Sequence, residues 1–323
     1  MEGRAISRRR ERSRSVLAEL TAAFLRVVGK PSEARPTVRC LSHRDAASIL
    51  LKARAVIDDP ELRGFSAEVL VENLVQSGIL QPLDLESVDR PVTIYSVGPQ
   101  ARDSVDPIEI LEAAVPAGVV CYFTALQFYG LTTQIATHHH IARLVHRSPS
   151  RPIERNVVRK SPANSMSPPT RRDPLGTLLF SYQSQPYYRT DRGRHTLAGT
   201  QLRNLNDKTI ARITTREQTM LDTLHRPISC GGPSVVWEAW ARGVSELDAD
   251  SLARLLQTLN DAELNRRVGY MLQSQEFSAP SVLGEILDDA ERRVKKLDDE
   301  NVIPLLPGIP GASLEPRWGL RLP

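Results

Sequence analysis

The most conspicuous chemistry-bearing run in this 323-residue chain is His138-His139-His140. Imidazoles ligate metals and carry protons near neutral pH. Consecutive strand residues point to opposite faces, so only His138 and His140 can address one ligand. Neither a Cys nor an acidic pair stands nearby at metal-ligand spacing, and the run reads as a polar strand entry. Cys230 precedes Gly231-Gly232, the local form of a nucleophile on a tight turn. A nucleophile needs a base held within hydrogen-bond reach, and His225 is near only along the chain. Cys40, Cys121 and Cys230 are odd in number and far apart, so they form neither a disulfide framework nor a C-x-x-C pair. They read as small buried apolar groups. Asp222 lies beside an apolar helix face; a buried lone carboxylate is costly, so a partner is expected, either Arg266 or Arg267 or a loop backbone. Asp288-Asp289 and Asp298-Asp299-Glu300 read as solvated. The sequence has no Walker motif, no G-x-G-x-x-G and no HExxH. A non-enzymatic chain with no cofactor and no metal is the expectation.

The elements that position these residues follow from composition and periodicity. Apolar residues make up 41% of the chain and aromatics only 5%, so cores must rest on Leu, Val, Ile and Ala. The length admits two domains. No apolar run approaches the ~18 residues of a membrane span, and no secretory signal is expected at the Arg-rich start. A cytoplasmic protein is the reading. The net charge of +4 permits a nucleic-acid partner without requiring one. Residues 1–15 read as a disordered basic arm, with Arg4, Arg8, Arg9, Arg10, Arg12 and Arg14 against Glu2 and Glu11.

Residues 16–98 read as one domain. Val16, Leu17, Leu20, Phe24, Val27 and Val28 have helical spacing, ended by Gly29 and Pro31. Residues 30–41 read as a linker. Ser42 with Asp45 caps a helix whose apolar face is Ala46, Ile49, Leu50, Ala53, Val56 and Ile57. Ser66 caps a second helix to about Ser77, ended by Gly78. Ile79-Leu80 and Val92–Tyr95, joined by a polar loop, are the expected hairpin. Two helices across a short turn and then a hairpin is the order of a winged helix-turn-helix, with the helix from Ser66 in the major groove. Its outward face carries Glu68, Glu72, Asn73 and Gln76, with no Lys or Arg. Asn73 and Gln76 can pair with adenine. Phosphate contacts then fall to Arg44, Lys52, Arg54, Arg63, Arg90 and the arm residues Arg8, Arg9 and Arg10.

Residues 106–323 read as a second domain. Two helical pieces fill 106–131, separated at Val115–Gly118. Strands are expected at Ile141–His146, Asn156–Arg159, Leu178–Tyr182, Tyr187–Arg189 around a turn at Pro186, and Ile210–Ile213; part of 147–176, rich in Pro, Ser, Arg and Lys, is a loop. Helices follow, capped by Thr214 with Glu217, by Ser234, by Asp248, from Asn260, and by Ser281 through Leu297. Gly269 inside a helix costs about 1 kcal/mol against Ala, which points to close packing, against Trp237 or Trp240. The fold class is α+β: an N-terminal winged helix-turn-helix, then a mixed α/β domain ending in a helical, bundle-like region.

Four blocks of the second domain carry a family resemblance. They are Gly118 to Leu131, with Ala125-Leu126 before Gly130-Leu131; Ile213 to Asp222, with Glu217 and the Thr219–Asp222 pair, continuing to Arg226-Pro227 and Gly231-Gly232; Asn265 to Leu272, with Arg267, Gly269 and Tyr270; and Pro304–Pro307 with Arg317-Trp318-Gly319-Leu320. Their order resembles the AbiEi antitoxin family of type IV toxin–antitoxin systems over roughly residues 43–323. The Arg-rich start, the loop at 147–176 and the acidic face of the second helix depart from it. The resemblance implies an antitoxin that represses its own operon by binding inverted repeats, as two cooperating copies. It also implies a nucleotidyltransferase-like partner toxin, counteracted in a way that need not involve a stable complex. Two rival readings stay open: a protein-interaction module that masks a toxin directly without DNA, and a nuclease-like enzyme needing convergent carboxylates plus a Lys.

Overall fold

The computed structural model describes residues 15–16, 18–29, 31, 37–57, 59–87, 91–98, 105–145, 175–295 and 301–323. The expectations for Arg8, Arg9, Arg10 and Arg90, for a strand at 156–159 and for the basic loop at 147–174 lie outside these residues.

The first helix, α1 (18–28), buries Leu20, Phe24 and Val28 at one-turn spacing. A short strand, β1 (Cys40–Ser42), then leads directly into α2 (His43–Ile57). Its presence corrects the reading of 30–41 as a linker. Cys40 and Leu41 are both buried, one in each of two separate apolar clusters, so a coil there would expose them. The start of α2 is closed as its sequence requires, with Asp45 N–H donating to Ser42 Oγ at 3.1 Å. One turn of helix, α3 (Pro60–Arg63), fills the connection to α4 (Ala67–Gln76). Ser66 caps α4 by accepting from Val69 N–H at 3.4 Å. Gly78, at φ +74°, ends it: Ile79 N–H reaches Leu74 O and Gly78 N–H reaches Val75 O, both at 3.0 Å.

Three strands follow: β2 (Leu80–Pro82), β3 (Glu86–Ser87) and β4 (Ile94–Val97). β2 and β4 pair antiparallel, as a hairpin would, and β1 joins on the far side of β4 to give the order β1-β4-β2. The hairpin loop is not free. β3 pairs with a strand of the following sheet, and Leu83 and Leu85 pack there.

The second region opens with α5 (Pro107–Ala114), capped by Asp106 in a box with Glu109. β5 (Val119–Val120) and α6 (Tyr122–Phe128) come next. Val119 and Val120 are therefore strand, not helix, because both are enclosed between neighbouring strands and have no exposed face. Beyond it lie β6 (His139–Val145), β7 (Thr177–Tyr182), β8 (Gln185–Gly193), β9 (Thr200–Asn206) and β10 (Thr209–Thr214). The β7–β8 turn falls at Gln183-Ser184, both at positive φ, rather than at Pro186, which lies inside β8. The mixed sheet runs β3-β7-β8-β6-β5-β10-β9. Helices α7 (Arg216–His225), α8 (Pro233–Gly243), α9 (Ala249–Leu259), α10 (Ala262–Ser274) and α11 (Ser281–Val294) cover it. A parallel–antiparallel sheet of β11 (Ile303–Pro304), β12 (Ser313–Glu315) and β13 (Leu320–Leu322) closes the chain. The protein is α+β.

Most helix starts follow their caps, with shifts of one or two residues. Thr215, not Thr214, caps α7; Gly232 precedes Pro233 at the start of α8; Asp261 caps α10, leaving Asn260 as the left-handed end of α9. Pro280, not Ser281, is the residue before α11. One core lies between α1, α2 and α4, a second between the large sheet and the C-terminal helices. A third joins Cys40, Leu83 and Ile94 to Ile110, Ile141 and Phe180, across the boundary placed between residues 98 and 106.

Candidate functional site

Two places gather the residues singled out above. The first is the outer surface of α2–α4. Glu68, Val69, Glu72 and Gln76 are exposed along α4, and Asn73 is half-buried, its amide returned to Val69 O at 2.9 Å. Gln76 lies 3.5 Å from Glu72. Its own backbone N–H and the Ser66 hydroxyl hold Glu68 below the usual carboxylate range. Arg44, Lys52 and Arg63 are exposed. The Arg54 guanidinium donates to Phe65 O at 2.6 Å, which sets its charge beside the start of α4. Phe65 and Val69 expose about two-fifths of their surface, an apolar strip on an otherwise acidic face.

The second place is the buried polar centre beneath α6 and α7. Asp222 is buried, and its partner is Arg192 at 2.8 Å, with Gln218 Nε2 donating to the other oxygen at 3.0 Å. This corrects the expected pairing with Arg266 or Arg267. Those two arginines instead tie down the C-terminal segment: Arg266 donates to the carbonyls of Trp318, Gly319 and Asn301, and Arg267 to Pro304 O at 3.1 Å. Arg192 also donates to Thr196 O and lies over the Tyr122 ring. Strand alternation carried the signal for it, since Tyr188, Thr190 and Arg192 share the buried face of β8.

The histidine run is interior. His138 and His140 share one face with ring centroids 4.9 Å apart, as alternation requires, while His139 contacts Tyr187 on the other. His138 Nε2 meets Ser229 O, His139 Nε2 meets Gln185 Oε1 and His140 Nε2 meets Leu175 O. The run is buried, not a polar entry, because each ring finds a fixed partner. Cys230 and Cys121 are fully buried, and burial pushes both thiols up, away from thiolate chemistry. Among the described residues no group of three or more His, Cys, Asp or Glu is arranged to hold a metal.

The motif blocks brace one another. Ala125 and Leu126 are buried in α6, and Leu131 N–H returns to Leu126 O at 2.9 Å past Gly130. A Cβ on Gly231 would strike Phe123 of the same block, and Gly232 N–H closes the turn on Pro227 O at 2.8 Å. Glu217 accepts from Asp248 N–H at 3.2 Å, joining the starts of α7 and α9. Thr219 Oγ1 lies 2.7 Å from Thr214 Oγ1. Gly269 does mark close packing, but against Trp318, whose ring occupies the space a Cβ would fill; Trp237 instead meets Tyr270.

A further polar junction, not foreseen from the residue pattern, lies between the two regions. Glu109 accepts from Thr209 Oγ1 at 2.8 Å and Asn206 Nδ2 at 3.1 Å, with Arg39 at 3.6 Å. One turn on, Glu112 is buried with one oxygen accepting from Arg212 N–H and the other unpartnered. Desolvation raises its pKa to about 8. It is thus protonated in the fold at pH 7 and ionised in the unfolded chain, which makes it destabilising as pH rises through that window. Glu112→Gln should therefore raise stability at pH 7 by roughly 2–3 kcal/mol, with no gain at pH 4, as measured by urea denaturation.

A search of protein-family models found no match, and neither did a search of curated proteins. Among solved structures the chain is similar to the crystal structure of the RV2827C protein from Mycobacterium tuberculosis, at 16% identity and a TM-score of 0.52. The match covers 94% of this chain and 90% of that one. That likeness is one of fold.

Proposed function

We propose that this chain is the antitoxin of a type IV toxin–antitoxin system and a repressor of its own operon. Its N-terminal residues would act as a winged helix-turn-helix on inverted repeats, two copies per operator. The observation that carries the DNA half is α4: it is packed on α2 across a short connection, flanked by the β1-β4-β2 sheet, with its outer face uncovered. The antitoxin half, with a nucleotidyltransferase-like toxin as the counterpart, rests on the resemblance of the four C-terminal blocks. With the β2–β4 loop held in the large sheet, base contacts fall to α4, where Asn73 and Gln76 suit adenine. Arg44, Lys52, Arg54 and Arg63 would position the phosphates.

Gel shifts on its own promoter should show a specific complex that weakens by about 0.9 log units per log unit of salt for each phosphate neutralised. Gln76→Ala should cost about 1–3 kcal/mol on the specific site alone, and Arg63→Ala should weaken all sequences alike. Absence of any specific shift would remove the repressor role. A second reading is favoured by Glu68 and Glu72 beside exposed Phe65 and Val69, a face suited to a protein that is masked directly. A toxin that co-elutes with the chain and is released by Val69→Arg would select that reading.

A further inference from the structure

Helices α9, α10 and α11 leave between them a cavity of about 450 Å³, remote in sequence from the proposed DNA-binding face. Its volume falls in the range of small-molecule sites. The floor is apolar, built by Leu256, Ile286 and Ala290. Two acceptors in its lining are without an ion pair or hydrogen-bond donor. Asn265 Oδ1 is buried without a hydrogen-bond partner, a state that destabilises unless a donor arrives. Glu285 lines the same cavity and takes part in no ion pair among the described residues. The cations that also line it are already engaged. Arg266 donates to the carbonyls of Trp318, Gly319 and Asn301, and Arg293 pairs with Asp289 at 2.7 Å. A positively charged hydrogen-bond donor, carried on carbon that can lie against Leu256 and Ile286, would answer both acceptors.

We propose that the cavity between α9, α10 and α11 binds an alkylguanidinium or alkylammonium group, with Glu285 and Asn265 Oδ1 receiving its N–H donors and the apolar floor taking its stem. The chemistry is the same for a free amine and for an Arg or Lys side chain presented by a peptide. Calorimetric titration of the full chain with agmatine and with arginine blocked at both ends separates the two sources; hexanoate, of opposite charge, serves as control. At least one cation should bind saturably with a Kd below about 1 mM. Tighter binding of agmatine identifies a free amine, and tighter binding of blocked arginine a side chain. Glu285→Gln should weaken binding at least 10-fold, and Ile286→Trp, which sets an indole where the ligand's stem would lie, should abolish it. Glu285 is exposed, so its variant carries the test if the Trp variant fails to fold. The proposal is overturned if neither cation binds saturably, if hexanoate binds as well, or if Glu285→Gln binds like the parent.

Discussion

Arg192→Met should cost about 3–5 kcal/mol of folding free energy, the range expected when one member of a buried ion pair is removed. The loss comes less from the missing attraction than from what is left behind. Asp222 stays buried with only the Gln218 amide donating to it. Arg192 also supplies the donor to Thr196 O and the cation over Tyr122, so the 3₁₀ turn after β8 loosens as well. The companion variant decides the mechanism. Arg192→Met with Asp222→Leu removes both charges and keeps the volume, and such replacements are often close to neutral. Urea denaturation of the two single variants and the double should show a coupling of at least ~2 kcal/mol. A double variant as unstable as Arg192→Met alone would mean that Arg192 acts through packing, not through Asp222.

The same pair shows what could and could not be read from the chain. That Asp222 must have a partner followed from its place beside an apolar helix face; which arginine it would be did not, because β8 and α7 meet only in the folded sheet. Gly269 repeats the pattern. A glycine in mid-helix announced a close neighbour, yet Trp318 lies 49 positions on and nothing local selects it over Trp237 or Trp240. Caps were readable to within a residue or two, since Ser66 and Asp248 act on their own turns. Val119-Val120 was misread because two apolar residues carry no period, and only their neighbours β6 and β10 make them strand. Of the α4 surface, the residue identities were readable in advance. The docking of the β2–β4 loop onto β7 was not, because it pairs residues some 95 positions apart.

Acid should unfold this protein early, and His138, His139 and His140 set the reason. Burial lowers the pKa of all three, and His140 falls to about 3, held also by the neighbouring His138. Above the unfolded value of about 6.5 the rings are neutral in both states and pH has no leverage on them. Below it the unfolded chain takes up protons that the fold refuses, so stability drops as pH falls, by up to about 1.4 kcal/mol per pH unit for each ring. Glu112 works in the opposite sense over the same interval, because it holds a proton in the fold that the unfolded chain has released; it offsets about one histidine's share. Stability should fall from pH 6.5 to 5, and more steeply in the Glu112→Gln background, by up to about 1.4 kcal/mol per unit. Within that background His140→Gln, whose amide can still donate to Leu175 O, should flatten the slope by one ring's share. Urea midpoints at pH 7, 6 and 5 measure all three. Stability that stays level from pH 7 to pH 5 would show that the rings are protonated within the fold, which their fixed contacts with Ser229 O, Gln185 and Leu175 O would then have to accommodate as donors on both ring nitrogens.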